Sequence, residues 1–539
     1  MTIDIDAFRR TRHDAPLPPY EALTGLDRWS VNTYKSAKTI MQDGWTLNQL
    51  PTVPLVTPLA WDEVCREDRS WTFQLHSWDF LGHVLAAHSA TGERQFIEFA
   101  LRLVLDWARQ YPTRQHESTF AWYDMAVGLR AYRLSYVLDV AARADWVDDD
   151  TVLTLLEAAI AHADVLADDD VYPDHSNHGF YFAAGQAALG RRFPDIPTMA
   201  DASKQAGERL AAMLDLQFTD EGVHREHSPD YHRMVFETFS GLVEAGLLIG
   251  AGLAERDLAI QESLAWFVLP NGTLARFGDT AEVKLGHVAQ SLARHPALRL
   301  VATGGQEGSP PGENIRAFPE SGYIVFRDGW PAPGDDVTKY SYLAQTCAFH
   351  SRVHKHADDL SFVWYDRGEE LLVDAGRYGY LGHTETGSEL WKDGHWYSDP
   401  NRIFVESTRA HNTVEVDGRN HPRVGVEPYG SALESWGEWG ELQFSVAACS
   451  YRSIHHRRVL VLSPSRWLLV LDRLVDADGD DHDFRQRFQL SPSLELSDAN
   501  DPLSPFVGGS LQLPLHCLSL SKTDPMPVVR GQSEPEMAG

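Results

Sequence analysis

Long stretches of the chain up to about residue 300 carry apolar side chains at helical spacing. In residues 96–112 the apolar positions recur every three or four residues, and the stretch ends at Pro112, which cannot continue a helix. Short polar loops separate such stretches, which favours antiparallel helical hairpins. The pattern predicts helices over residues 96–112, 121–145, 150–167, 202–218 and 232–254.

The pattern changes at residues 304–322, which are rich in Gly, Pro and Glu and form the best linker candidate. Beyond them, short apolar runs alternate with polar turns. Residues 360–374 predict a hairpin that turns at 366–368, and residues 457–476 predict another that turns at 463–465. Many short strands of this kind indicate an antiparallel sandwich. We therefore predict a helical domain over 1–303, a linker over 304–322 and a β-sandwich domain over 323–539.

The composition agrees with several domains and restricts the partners. A chain of 539 residues is longer than one hydrophobic core usually serves. The formal net charge is −30, from 47 Lys and Arg against 77 Asp and Glu. This charge argues against nucleic acid as a partner, because phosphates are repelled unless a basic stripe is present, and none is visible. An acidic ligand would need a locally positive surface.

Cysteine spacing and the N-terminal residues bear on the compartment. The first residues lack the apolar core of a signal peptide, and the longest apolar run, residues 239–254, is too short to span a bilayer. We expect a cytoplasmic protein with no membrane partner, and secretion by another route stays open. The sequence favours free thiols over a disulfide framework, because no CxxC pair occurs among Cys65, Cys347, Cys449 and Cys517.

Three histidines precede one predicted strand, and an aspartate follows the next. If the hairpin turns near Arg367, Leu360 lies opposite Asp374, and His356 reaches the same rim of the hairpin. His411 immediately precedes a further strand. Two histidines and one aspartate at strand ends suit Zn²⁺, which takes three protein ligands and a fourth group. The alternative is that His411 is an ordinary strand-end histidine and Asp374 a turn former.

His354 and His356 are two residues apart, so on an extended chain their side chains point the same way. One could bind metal while the other faces a substrate. The run HKHADD is also similar to the HxHxDH signature of metallo-β-lactamase-like hydrolases. That interpretation fails, because Asp359 stands at the last position and the α/β context is absent.

Polar clusters also occur in the helical part. Asn177 and His178 precede an apolar stretch, where Asn177 could simply cap the helix. A second cluster surrounds a proline turn and consists of His224, Glu226, His227, Tyr231 and His232.

Four segments together carry a resemblance: SNHGFYFAAGQAALG, EHSPDYH, HKHADDLSFVWYDRGEELLVDAG and STRAHNTVEVDG. In this order, across a helical-to-β change, they resemble the heparinase II/III-like polysaccharide lyases, a group that includes alginate and heparin or heparan lyases. The resemblance extends from about Trp122 to about Asp472. It implies an N-terminal incomplete (α/α) toroid followed by an antiparallel β-sandwich.

The resemblance also implies roles for the matching positions. Asn177 and His178 match the residues that neutralise the uronate carboxylate. Tyr231 matches the catalytic tyrosine, and His354 the histidine that shares the acid–base work. The family's zinc ligands, which hold a structural metal, match His356, Asp374 and His411.

These residue types suit β-elimination at a uronic acid, which removes the C5 proton and expels the oxygen on C4. Asn177 and His178 would stabilise the enolate-like state, while a base takes the proton and an acid protonates the leaving oxygen. Tyr231 can do either job if cationic neighbours lower its pKa. Whether His354 or Tyr231 is the base depends on which face of the ring carries the C5 proton.

Two further questions stay open at the level of the sequence. Trp122 and Arg130 could stack on a sugar and pair with a carboxylate, or could serve the core and surface of the toroid. A second catalytic tyrosine has no decisive motif, and its candidates are Tyr378, Tyr380 and Tyr397.

We expect a lyase that leaves an unsaturated uronate end on a polysaccharide or oligosaccharide, with an acidic glycan as its partner. A glycoside hydrolase on the same toroid would need two carboxylates across a cleft, whereas the polar clusters here are His, Asn and Tyr. The other alternative is a non-catalytic glycan-binding protein with structural zinc. The joint presence of Asn177, His178, Tyr231 and His354 argues against it.

Overall fold

The computed structural model describes residues 4–20, 31–47, 50–114, 118–174, 176, 178–244, 252–498, 505–508, 511–514 and 516. The chain divides into two compact units. The first comprises Met1–Gln217 and Met234–Asp257, and the second comprises Phe218–Arg233 and Leu258–Gly539.

The first unit is helical. Its central helix, α6, is buried all round from Ala126 to Ala142, which explains why its apolar residues do not form a single stripe. The elements that lie in this unit, wholly or in their greater part, are α1 (Ile5–His13), α2 (Val31–Asp43), α3 (Arg69–His76), α4 (Leu81–Thr91), α5 (Arg94–Gln110), α6 (Asp124–Arg143), α7 (Asp149–Ala167), α8 (His178–Arg192), α9 (Ala202–Gln217) and α10 (Pro229–Glu244).

The apolar spacing of the sequence predicted the bounds of four of these helices closely. The helices predicted at 96–112, 121–145, 150–167 and 202–218 are confirmed to within three residues at each end. The helix predicted over 232–254 begins earlier, at Pro229, and runs to Glu244. Residues 245–251 lie outside the described part of the chain, and a further helix begins at Leu253.

Beyond these helices the described chain changes from α to β. The last helix before the sheets ends at Ala302 and the first strand begins at Ile315. The domain limits 1–303 and 323–539 stay predictions. The later helices are α11 (Leu253–Trp266), α12 (His287–Leu292), α13 (Pro296–Ala302), α14 (Glu389–Lys392) and α15 (Pro400–Glu406).

The strands pair in antiparallel fashion throughout. The strands are β1 (Ile315–Phe318), β2 (Tyr323–Arg327), β3 (Ser341–Thr346), β4 (Ala348–Phe349), β5 (Phe362–Asp366), β6 (Glu369–Leu372), β7 (Val414–Val416), β8 (Gly430–Ser431), β9 (Leu433–Trp439), β10 (Leu442–Tyr451), β11 (Ile454–Ser463), β12 (Trp467–Asp476), β13 (Phe484–Gln486), β14 (Glu495–Leu496), β15 (Phe506–Gly508) and β16 (Leu511–Leu513). A five-stranded sheet has the order β1-β2-β3-β5-β6 and a four-stranded sheet the order β12-β11-β10-β9, with the smaller sheets β13-β7, β14-β15-β16 and β4-β8.

Strands β2, β3 and β5 are buried on both faces. One face, with Phe326 and Leu343, packs on Leu460 and Leu462 of β11. The opposite face packs on apolar residues of the helical part of the same unit, including Phe267. This double coverage explains why β2 and β5 are nearly continuous apolar runs in the sequence, whereas β3 also buries polar side chains such as Gln345.

The hairpin of β5 and β6 is confirmed, but its predicted register is wrong. Asp366 pairs with Glu369, and a bulge between Trp364 and Tyr365 shifts the pairing so that Trp364 faces Leu372. The turn centre therefore lies after Arg367, and Leu360 does not oppose Asp374. A bulge adds an unpaired residue, which a symmetric count along the sequence cannot include.

Two observations bear on cysteines and membranes. Cys65, Cys347 and Cys449 are buried and free, while Cys517 lies outside the described residues.

Among the described residues, none of the helices combines the length and the apolar character that a bilayer crossing requires.

Candidate functional site

A buried carboxylate, Asp279, lies at the centre of a polar cluster in the second unit. Its Oδ2 is 2.8 Å from His354 Nδ1 and accepts from the Tyr380 hydroxyl at 3.2 Å. Its Oδ1 is 3.0 Å from His356 Nε2, and Arg402 donates to both oxygens. Burial alone would raise the pKa of Asp279, but the hydrogen bonds from His354 and His356 and the charge of Arg402 lower it well below its usual range. The carboxylate is therefore charged and binds all four side chains.

Two glycines allow the segments of this cluster to approach each other. Gly278 has φ +49°, and a Cβ there would lie 2.4 Å from the carbonyl oxygen of His354. Gly376 has φ +61°, and a Cβ there would lie 2.3 Å from the carbonyl oxygen of Thr280. Both positions require glycine, because other residues would be strained and would collide with backbone. The same approach lets the amide of Asp279 donate to the His354 carbonyl at 3.3 Å.

Tyr231, in the first turn of α10, contacts two members of the cluster. Its ring stacks on the ring of His354, with centroids 3.6 Å apart and planes inclined by 22°. Its hydroxyl lies 2.8 Å from the hydroxyl of Tyr380. Because Tyr380 gives its one hydroxyl hydrogen to Asp279, it accepts a hydrogen bond from Tyr231. Of the three tyrosines considered from the sequence, Tyr380 is therefore the one bonded to Tyr231.

The condition under which Tyr231 could act as either acid or base, a pKa lowered by cationic neighbours, is not met. Burial raises this pKa, and the hydrogen bond with Tyr380 and the charge of Arg377 offset the rise only in part. The effect of burial depends on the fold and is not visible in the sequence. Tyr231 is consequently a neutral phenol at neutral pH, which suits a proton donor.

His356, Asp374 and His411 come together as the sequence predicts. Each offers one ligand atom, and these atoms lie within 4.8 Å of one another. All three side chains are buried. His411 Nδ1 lies 2.7 Å from Asp374 Oδ2, and the two histidine rings are 5.4 Å apart. The predicted three-residue metal site is therefore present in the fold.

The donor atoms of this site fit a metal ion. His356 Nδ1 and His411 Nε2 are enclosed, and neither has a hydrogen-bond partner among the described residues. The other nitrogen of His356, Nε2, is bonded to the Asp279 carboxylate. A carboxylate in this place is the usual outer partner of a metal-binding histidine. An enclosed nitrogen without a partner is costly, and a bound cation would satisfy it. Asp374 supplies negative charge beside both rings. Burial would raise the pKa of Asp374, but the charge of His411 lowers it.

The first unit holds a second set of predicted residues. His178 begins α8, and its Nδ1 lies 3.3 Å from Asp124 Oδ1 at the start of α6. The side chain of His178 is about one-third exposed, and the ring of Tyr123 lies 6.2 Å away. Asn177, predicted beside it, lies outside the described residues.

Family models match most of the chain. Residues 31–256 match the model described as heparinase II/III N-terminus, and residues 310–510 match the model described as heparinase II/III-like, C-terminal. The chain belongs to the heparinase II/III-like family. The resemblance seen in the four sequence segments is thus confirmed.

Relatives and solved structures agree with this membership. The heparinase II/III-like chain is 21% identical over 441 residues to a heparin-sulfate lyase of Bacteroides stercoris, covering 76% of this chain and 62% of that protein. It is 23% identical over 378 residues to an alginate lyase of Stenotrophomonas maltophilia (strain K279a), covering 61% of this chain and 50% of that protein. The chain thus spans less than two thirds of the length of these curated relatives.

The crystal structure of heparinase III superposes with a TM-score of 0.69 at 16% identity, covering 88% of this chain and 75% of that chain. This likeness confirms the predicted fold class of the family member, an incomplete (α/α) toroid followed by an antiparallel β-sandwich.

One predicted substrate contact of the heparinase II/III-like chain is contradicted. The side chain of Arg130 is wholly buried, and its guanidinium donates to the carbonyls of His76 and Ala121 and to His162 Nε2. Arg130 therefore serves the core of the toroid, where its guanidinium is not exposed to a substrate carboxylate. Trp122 is half-buried, with its ring 4.7 Å from that of His162, and its contact with sugar stays a prediction.

The sequence did not identify Asp279 or Arg402 as site residues. Asp279 lies in the segment RFGDT, far from the histidines in sequence and without a periodic pattern around it. Arg402 and Glu406 are four residues apart on α15 and form an ion pair of 2.7 Å. The only available signal was a Gly-Asp pair directly after an apolar residue, Phe277.

Proposed function

We propose that this chain is a polysaccharide lyase that cleaves a uronic-acid-containing glycan by β-elimination. The observation that carries the proposal is the stacked pair of Tyr231 and His354. His354 is bonded directly to the Asp279 carboxylate, and Tyr231 is linked to it through the hydroxyl of Tyr380. The two relatives named heparin-sulfate lyase and alginate lyase act, by their names, on acidic glycans, which supports the same class of substrate.

The surroundings of Tyr231 and His354 suggest which of them removes a proton and which donates one. Asp279 is a charged acceptor, so His354 carries its hydrogen on Nδ1 and presents the lone pair of Nε2 as a base for the C5 proton. Glu226 Oε2 lies 3.5 Å from Nε2 and would stabilise the imidazolium that forms. Tyr231, held as a phenol, would protonate the leaving oxygen on C4. Tyr380 accepts from its hydroxyl and orients it.

The uronate carboxylate needs its own partner, because its charge opposes removal of the neighbouring C5 proton. We assign this role to Asn177 and His178, on the basis of the family positions alone. A donor to developing charge is typically worth roughly a hundredfold or more in turnover. Asn177→Ala is therefore expected to lower turnover by about that factor without changing thermal stability.

We further propose that the ion of the three-residue site is Zn²⁺. Zinc accepts nitrogen and carboxylate ligands in the combination that His356, Asp374 and His411 offer. Once bound, the ion would supply fixed positive charge that holds these strand ends together. Proton transfer would remain with Tyr231 and His354.

The proposal is tested by the ultraviolet absorbance of the unsaturated uronate, measured with purified protein on a panel of heparosan, heparan sulfate and alginate oligosaccharides. A lyase makes this chromophore, a glycoside hydrolase makes reducing ends without it, and a binding protein makes neither. Tyr231→Phe is expected to reduce the rate at least about a hundredfold while leaving the fold and the metal content intact. Tyr378→Phe, in a neighbouring loop, is the matched control. A folded, metal-loaded Tyr231→Phe protein that forms the chromophore at the wild-type rate would contradict the assignment.

A further inference from the structure

Arg352 stands at the start of the turn that carries His354. The amide of Lys355 donates to the Arg352 carbonyl at 3.3 Å, and His354 takes a left-handed conformation with φ +53° inside this turn. Residue 352 is therefore held close to the proposed base by the backbone itself. The Arg352 side chain extends over the indole of Trp396, with 4.6 Å between the guanidinium carbon and the ring centroid.

Arg352 forms no ion pair with a carboxylate of the described residues, and the charge of Glu406 reaches it only from a longer distance. No carboxylate of the described residues lies within ion-pair distance of it, although the chain has 77 acidic residues against 47 Lys and Arg. The nearby arginines differ in this respect, because Arg402 and Arg423 both pair with Glu406, at 2.7 Å and 3.2 Å. Arg352 thus has the charge of Glu406 only at longer range and no ion-pair partner among the described residues.

The guanidinium of Arg352 also has unused donors. Its Nε and Nη2 are enclosed and have no acceptor among the described residues. Enclosed donors without acceptors are rare and need an explanation. Burial, followed by the charge of Arg423, lowers the pKa of Arg352, and the charge of Glu406 opposes this only in part. An added anion would oppose both lowering effects further. An anionic group is the ligand that a planar guanidinium binds best.

Trp396 supplies a surface suited to a sugar ring. Its side chain is 43% exposed although its ring carries the guanidinium of Arg352. Its backbone is fixed, because its carbonyl accepts from the amide of Thr384 at 3.1 Å. A rigid, half-exposed aromatic face beside a cation is an arrangement that binds one flat apolar face and one negative charge at once.

We propose that Arg352 and Trp396 form a subsite for a second anionic group of the glycan, a carboxylate or a sulfate on the sugar next to the one that reacts. This inference rests on the proposed function and adds to it a reason for substrate choice. The subsite recognises charge outside the reacting sugar, so it acts on binding and leaves the proton transfers unchanged.

The experiment compares three tetrasaccharides that present a uronate at the reacting position. In the first, an unsulfated chain of alternating uronic acid and N-acetylglucosamine, the neighbouring sugar is neutral. In the second, the same chain carries sulfate on that neighbour, and in the third, a polyuronate, the neighbour carries a carboxylate. Affinities are measured by calorimetry, and kcat and KM from the chromophore.

Arg352→Gln is expected to weaken binding of one or both of the doubly charged ligands by about tenfold or more, and to leave the first ligand within about twofold. The ligand that loses affinity tells sulfate from carboxylate. KM should rise by the same factor while kcat stays within about twofold, because the contact is equal in the ground and transition states. Trp396→Ala should weaken all three ligands. The control is Arg94→Gln, which disrupts a similar pair, Arg94 over Trp146 at 4.2 Å, in the other unit.

Equal affinities of wild-type and Arg352→Gln protein for all three tetrasaccharides would overturn the subsite, as would failure of the wild type to bind the charged ligands. A fall in kcat with unchanged affinity would also overturn it, because it would place Arg352 in the chemistry. Calorimetry separates this outcome from failure of the proposed function. If affinity for charged ligands depends on Arg352 but no glycan yields the chromophore, the subsite stands and the lyase activity does not.

Discussion

Replacement of Asp279 by Asn tests whether one carboxylate organises the site. The asparagine amide has the same shape as the carboxylate but carries no charge. Its NH₂ group would face donors that bind a carboxylate oxygen in the wild-type protein. Asp279 receives hydrogen bonds from four side chains, namely His354, His356, Tyr380 and Arg402. Removing one partner of a buried ion pair costs about 3–5 kcal/mol.

The lower end of that range applies here, because Arg402 keeps a second partner, Glu406 Oε1, at 2.7 Å. We expect Asp279→Asn to lower the free energy of unfolding of its unit by about 3 kcal/mol. The loss of a fixed tautomer at His354 should reduce turnover per folded molecule by roughly 10²–10⁴-fold, the range that a general base supplies. Because His356 loses its outer partner, metal content should also fall.

The assay measures chromophore formation at a temperature where wild type and variant are both folded, together with metal content and thermal unfolding. Asp139→Asn is the matched control, because Asp139 is a buried carboxylate that binds Arg143 at 2.9 Å and Arg192 at 3.2 Å in the first unit. The control should lose stability but keep turnover and metal. The reasoning is refuted if folded Asp279→Asn protein retains wild-type turnover and a full complement of metal.

Three further substitutions address the metal, the hydroxyl pair and the backbone. His411→Ala should abolish stoichiometric metal binding and lower thermal stability, as elemental analysis and calorimetry would show; equal metal content in the variant would disprove the ligand assignment. Tyr380→Phe should cost about 1 kcal/mol of stability and reduce turnover, whereas Tyr378→Phe should do neither. Gly278→Ala should destabilise the protein by more than Gly92→Ala. Both glycines have positive φ, but only at Gly278 would an added Cβ collide with neighbouring backbone. Equal losses of stability in the two variants would show that the collision is relieved.

The metal ligands were accessible to sequence reasoning because each lies near a strand that an apolar run and a turn locate. In the structure they lie in the segments that flank these strands, His356 before β5, Asp374 after β6 and His411 before β7. The detailed register was not accessible, since the bulge at Trp364 and Tyr365 leaves no mark in the alternation. The ligand atoms nevertheless lie within 4.8 Å of one another although the predicted pairing is shifted.

Features that depend on burial could not be predicted from the sequence. The pKa of Tyr231 is raised because the side chain is buried. Arg130 is a core residue because its guanidinium donates to backbone carbonyls inside the fold. Asp279 was overlooked for a related reason: a single aspartate in a loop carries no period, and its importance arises only from donors distant in sequence.

The double coverage of the central sheet has a consequence for synthesis of the chain. Strands β2, β3 and β5 emerge well before β11, which supplies the leucines that cover their second face, and the separation from β3 to β11 is roughly a hundred residues. At about 5–20 residues per second, a ribosome needs on the order of 5–20 s to supply the missing strand. During that interval Phe326, Leu343 and their neighbours face solvent as an open apolar sheet. Nascent chains of this protein are therefore exposed to aggregation, and slower translation across the intervening segment lengthens that exposure.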